Sequence, residues 1–109
     1  MMSIQTLYWL LLTHYIADFT LQTTYMSKNK STSNKALGLH CLVYGLCFLW
    51  LGFVPALILG SSHFIIDYIS SRLTSWFFKR DDIYNFFVIV GADQFLHSMV
   101  LFAVYLYFN

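Results

Sequence analysis

Residues 54–78 read VPALILGSSHFIIDYISSRLTSWFF, an apolar run whose only charged side chains are Asp67 and Arg72. As a helix rising 1.5 Å per residue it spans about 37 Å, more than the roughly 30 Å hydrocarbon core of a bilayer. Pro55 suits its first turn, and the joint Lys79-Arg80-Asp81-Asp82 follows it. Asp82 is a natural N-cap for a further apolar segment, about Ile83 to Phe108. Upstream, Gly52 is suited to end a segment that starts after the caps Thr32, Ser33 or Asn34 and runs through Leu51. A first segment covers about Ile4 to Met26, with Ser3 as N-cap, and the polar run Ser27–Lys35 separates it from the second. The expected fold is all-α, a four-helix transmembrane bundle in one domain over residues 1–109, with helices at about 4–26, 33–51, 54–78 and 83–108.

Composition agrees. Of 109 residues, 59% are hydrophobic, 20% aromatic and only 10% charged, too apolar for a soluble domain of this size. A net charge of +1 excludes a basic nucleic-acid binder and an acidic disordered tail. Cys41 and Cys47 stand six apart in one apolar segment, which is neither a disulfide framework nor a C-x-x-C metal clip, so both are read as packing residues. No basic n-region or cleavage motif marks a signal peptide, and no repeat appears. Lys28, Lys30, Lys35, Arg72, Lys79 and Arg80 all fall on one side of the segments as drawn. The positive-inside rule makes that side the cytoplasm, with loops 27–35 and 79–82 inside and both termini outside. The expected location is the bacterial inner membrane, with the lipid bilayer as the obligatory partner.

Ionisable side chains inside such segments are costly unless a partner, cavity or metal compensates, which makes them functional candidates. Seven occur: His14, Asp18, His40, His63, Asp67, Asp93 and His97. His14-x3-Asp18, His63-x3-Asp67 and Asp93-x3-His97 are each i, i+4, one helix face one turn apart. Counting rise from the basic side puts the members of the three pairs at about 12–18, 16–22 and 15–21 Å depth, one level in the bundle. His40 comes out at about 6–10 Å, shallower than the rest. Four imidazoles and three carboxylates converging in a bundle make a ligand set for one or two divalent metals. The imidazole count favours Zn, while the carboxylates leave Mn or Fe open. Gln22, Tyr44, Ser71 and Gln94 are placed to hydrogen-bond those ligands. Arg72, one step off the ligand face, either meets a substrate phosphate or snorkels to the surface. Gly38, Gly45, Gly60 and Gly91 are read as sites of close helix approach.

The stretches HYIADFTLQ (residues 14–22), LHCLVY (39–44), HFIID (63–67) and DQFLH (93–97) carry a resemblance. The chain resembles a bacterial and phage family of small integral membrane proteins known only as a domain of unknown function, which implies a four-helix membrane protein and no established activity. More loosely it is similar to proteins labelled membrane-bound metal-dependent hydrolases. The expected function is metal-dependent hydrolysis of a lipid-like or phosphorylated substrate, with Asp18, Asp67 and Asp93 as the catalytic carboxylates. Alternatives from other classes are a divalent-cation or proton transporter, a phage-encoded membrane modulator with a structural metal, and a bis-histidine haem protein. No nucleic-acid partner is expected, and a homo-oligomer is compatible with the Phe-rich outward faces.

Overall fold

The computed structural model describes residues 3–108, apart from the side chain of Ser27. Among these residues the chain is all-helical, with α1 at Ile4–Tyr15, α2 at Thr24–Asn29, α3 at Asn34–Cys47, α4 at Phe53–Lys79 and α5 at Ile83–Phe108. Helices α4 and α5 match the third and fourth expected segments to within a residue, and both are long and apolar enough to cross a membrane. The first two segments are broken more finely than their hydropathy suggests. After Tyr15 the helix widens into a π turn over Ile16–Thr20, closed by Leu21 N–H donating to Ile16 O at 2.9 Å. Thr23 then caps a new helix, its hydroxyl accepting from Met26 N–H at 3.2 Å. A threonine that satisfies a fresh helix start competes with continuing the old one, so the expected helix to Met26 becomes α1, the π turn and α2. The second segment ends at Cys47 because Phe48 leaves helical geometry, and Leu49–Leu51 tighten into a 3₁₀ turn. Gly52, at φ 122°, reverses the chain in a conformation that side-chain-bearing residues rarely adopt.

The turn from α4 to α5 is short because both ends are capped by its own residues. Asp81 sits at φ 58°, with its N–H on Phe78 O and the Asp82 N–H on Phe77 O, the bond pattern of a Schellman cap with aspartate in the usual glycine place. Asp82 then accepts from Asn85 through backbone N–H at 3.1 Å and side-chain amide at 2.8 Å, which holds its carboxyl below the ordinary range.

The apolar core takes Leu10 from α1, Ala17 from the π turn, Tyr44 from α3, Phe48 just after it, Ala56 and Leu59 from α4, and Leu101 and Val104 from α5. Helix α4 is the hub, packed against α3 on one side and α5 on the other. Its crossing with α3 is close at Gly45 and Gly60, where an added Cβ would come within 3.2 Å of Ala56 O and 3.3 Å of Cys41 O respectively. Gly38 and Gly91 have open space around them, so the expectation of close approach holds at two of the four glycines. Outside this core the surface carries large apolar side chains such as Leu42, Phe53, Ile65, Phe87 and Phe95, far more than a soluble monomer exposes.

Candidate metal centre

All seven ionisable side chains singled out in the apolar segments are buried, none more than 8% exposed. Each i, i+4 pair closes on itself: His14 Nε2 to Asp18 Oδ2 at 4.0 Å, His63 Nε2 to Asp67 Oδ2 at 3.8 Å and His97 Nε2 to Asp93 Oδ1 at 3.1 Å. The structure then divides the seven into two groups.

The first group is Asp18, His40 and His63, whose donor atoms all lie within 4.8 Å of one another, with Asp67 beside the two histidines. His40 Nε2 lies 3.0 Å from His63 Nε2, 3.0 Å from Asp18 Oδ1 and 3.5 Å from Asp67 Oδ2. His63 Nε2 lies 3.2 Å from Asp18 Oδ1 and 3.8 Å from Asp67 Oδ2. Ligand atoms around a tetrahedral ion at 2.0–2.1 Å stand about 3.3–3.4 Å from one another, in the middle of these separations. Three of the four donors come from different elements: Asp18 from the π turn, His40 from α3, His63 from α4. The π turn aims Asp18 across the bundle, a use such turns often have at functional sites. His40 is at the heart of the cluster rather than shallower than it. Counting from the polar loop understates its depth, because part of that loop folds as α2 against α3, with Met26 buried.

The second group is His14, Asp93 and His97, and its polar atoms are engaged by the protein itself. Asp93 accepts from Gln94 at 3.1 Å and His97 at 3.1 Å, and from the Ser70 hydroxyl. The Gln94 amide also donates to Asp18 Oδ2 at 3.1 Å, so its oxygen must face His14, whose Nε2–H donates to it at 2.8 Å. A neutral His14 then accepts at Nδ1 from the Tyr44 hydroxyl, 2.8 Å away. Gln94 therefore tethers two carboxylates with one amide, and flipping it would set its oxygen against both. A second set of donor atoms, on His63, Asp67 and His97, also lies within 4.8 Å of one another. The His63 and His97 rings, however, stack at 3.9 Å and 24°, while a ligand ring must point its nitrogen at the ion in its own plane. The first group has the better geometry. His63 is held between His97 and Tyr44, the latter also at 3.9 Å.

This cluster could hold a metal ion, and two observations suit one. Asp67 Oδ2 is buried without a hydrogen bond, with Lys30 Nζ, His40 Nε2 and His63 Nε2 standing 3.4, 3.5 and 3.8 Å away. Charge points the same way. Asp18, Asp67 and Asp93 bring three negative charges, and among the described residues the only lysine or arginine paired with them is Lys30, its Nζ 3.4 Å from Asp67 Oδ2. One divalent ion would balance two carboxylate charges buried in such a bundle.

The same carboxylates open onto a cavity of about 210 Å³, lined by Asp18, Asp67 and Asp93 with Lys30, Ser71 and Gln22 among their neighbours. Of the polar side chains singled out beside these groups, Tyr44 bonds His14, Gln94 bonds Asp18 and Asp93, and Gln22 and Ser71 line this cavity. Arg72 faces elsewhere, stacked 3.6 Å over Tyr68 and bonded to Asn34 Oδ1 at 3.0 Å. Sequence reasoning missed Lys30, which sits in a polar stretch with nothing local to mark it. It also missed Ser70, which the i+3 spacing from Asp67 could have flagged.

No curated protein and no solved structure matches this chain. A family model described as a protein of unknown function (DUF3307) matches residues 6–109, and the chain belongs to that family.

Proposed function

We propose that the protein is an integral membrane hydrolase whose four longer helices form a bundle in the bacterial inner membrane, with one divalent metal, zinc by preference, held by Asp18, His40, His63 and Asp67. The observation that carries this reading is the sharing of Asp18 and Asp67 between the histidine cluster and the polar cavity. A group bound in the cavity touches the same carboxylates that would hold the ion. A divalent ion there supplies Lewis acidity and lowers the pKa of a water toward neutrality. Asp93, on the cavity wall and bonded to His97, is placed to take a proton, with His97 spreading the charge away from the reacting group. Gln94 fixes the facing edges of Asp18 and Asp93. The substrate is an ester with a small anionic head and an apolar remainder, which fits a cavity whose other walls are Phe19, Phe86 and Val90. The distribution of lysines and arginines sets the α4–α5 turn on the cytoplasmic side and both termini outside.

Elemental analysis of detergent-purified protein beside a His63→Ala, Asp18→Asn double variant tests this. About one equivalent of metal in the wild type and near-complete loss in the variant are expected, with phosphoester hydrolysis lost in parallel. Metal-free wild type from a chelator-free preparation, or a variant that loses metal and keeps full turnover, would overturn it.

A further inference from the structure

The cavity differs from the centre it adjoins in offering donors. Ser71 is 5% exposed, its Oγ has no hydrogen-bond partner, and it lines the cavity. Lys30 brings an ammonium from the C-terminal end of α2, with its side chain 23% exposed and Nζ against Asp67 Oδ2. The other hydroxyls are committed, Ser70 to Asp93 and Thr74 to the Ser71 carbonyl at 2.9 Å. Lys30, Ser71 and the amide of Gln22 are thus the donors on the wall able to meet an incoming anion. At about 210 Å³ the cavity is smaller than the roughly 300–1,000 Å³ of sites that engulf drug-sized ligands, so it accepts a head group and not a whole lipid.

Whether an anion can enter depends on the neighbouring charge. Without an ion, Lys30 is held by Asp67, its Nζ 3.4 Å from Oδ2. An ion on Asp67 offsets that carboxylate's charge and removes its hold on Lys30, leaving the ammonium free to face the cavity. Resting on the metal-centre reading above, we propose that this cavity is a phosphoryl subsite, in which Lys30 Nζ and Ser71 Oγ hold a phosphate monoester only while the centre holds its metal. Lys30 exchanges one partner for the other, Asp67 in the ion-free protein and the phosphoryl oxygens in the loaded one. Phe19 is exposed beside the cavity and Phe86 is half-buried there, so the rest of the ester leaves along an apolar wall.

Binding of inorganic phosphate to the full chain in detergent, by phosphorus NMR or calorimetry, is the test, on zinc-loaded and chelator-stripped protein with metal content measured in every sample. Phosphate should bind loaded wild type and bind stripped protein about tenfold or more weakly. Lys30→Met should weaken phosphate by about tenfold or more while keeping its metal, because it removes a competing cation. Ser71→Ala should cost a few-fold, roughly one neutral hydrogen bond, and serves if Lys30→Met folds poorly. Metal-free wild type would sink the metal-centre reading. Metal present, with phosphate affinity unchanged by stripping or by both substitutions, would sink the subsite alone. Displacement of bound phosphate by phosphatidate in nanodiscs assigns the ester to lipid, and displacement by glycerol 3-phosphate assigns it to a soluble source. Displacement by neither overturns the proposal.

Discussion

Gln94 is the residue on which the alignment of the centre turns. Its amide donates to Asp18 and Asp93 at 3.1 Å each and accepts from His14, so three of the seven buried ionisable groups are aligned by one half-buried side chain. Replacing it with alanine strips a donor from two buried carboxylates, at about 2 kcal/mol of stability. It should also weaken metal binding about 10–100-fold, the usual effect of losing a ligand's hydrogen-bonding support. Gln94→Glu, nearly identical in shape, should do worse, because it sets a fourth carboxylate against two others. Competition with a chelating dye and thermal melts check both; equal metal affinity in all three proteins would show that Asp18 needs no such support. The seven buried groups were legible in the sequence because ionisable residues are conspicuous against an apolar background, and i, i+4 spacing is local information. Their division into a cluster around His40 and His63 and a hydrogen-bonded three was not. It depends on Ser70 and Gln94 reaching across from other turns and helices, and on the π turn that aims Asp18, none of which has a local sequence mark.

The elements were legible in proportion to their length. Helices α4 and α5 are long apolar runs bounded by Gly52 and the Lys79–Asp82 joint, and both were readable to within a residue. The first two segments mislead for different reasons: Phe48–Leu51 stays apolar past the end of α3, whereas the polar Thr20–Thr23 was read as helix although Thr23 caps a new one. Helices α3 and α4 bring His40 to His63, and the crossing at Gly45 and Gly60 sets how near they come. An alanine at Gly45 would press on backbone, Ala56 O at 3.2 Å and Gly60 Cα at 3.4 Å, neither of which can rotate aside. Gly45→Ala should therefore cost about 1–3 kcal/mol as overpacking, and Gly45→Leu more. Because the crossing also spaces the two Nε2 atoms, 3.0 Å apart, the variants should lose bound metal in the same order. Gly38→Ala, in open space, is the control. Wild-type metal content in Gly45→Leu would detach the crossing from the centre.

At the scale of the molecule, the basic residues set a direction that can be read chemically. In a background with Cys41 and Cys47 replaced by alanine, a single cysteine at Arg80 should react with an impermeant maleimide only after inner-membrane vesicles are inverted, and one at Gln5 only in intact spheroplasts. The reverse pattern would place the cavity's Lys30 side outward. The overall dimensions, 43 × 27 × 20 Å, also conceal an inequality among the helices. With 27 and 26 residues, α4 and α5 measure about 40 Å, whereas α1 with its π turn measures about 25 Å and the 14-residue α3 about 21 Å. In the membrane-spanning bundle proposed above, a bilayer core of about 30 Å would be over-spanned by α4 and α5 and under-spanned by α1 and α3, and such hydrophobic mismatch is relieved by tilt of long helices and thinning of the lipid beside short ones. Thinned lipid beside α1 and α3 would draw the head-group layer toward Asp18 and His40. In that bundle the short helices would shorten the journey of a head group to the buried cluster.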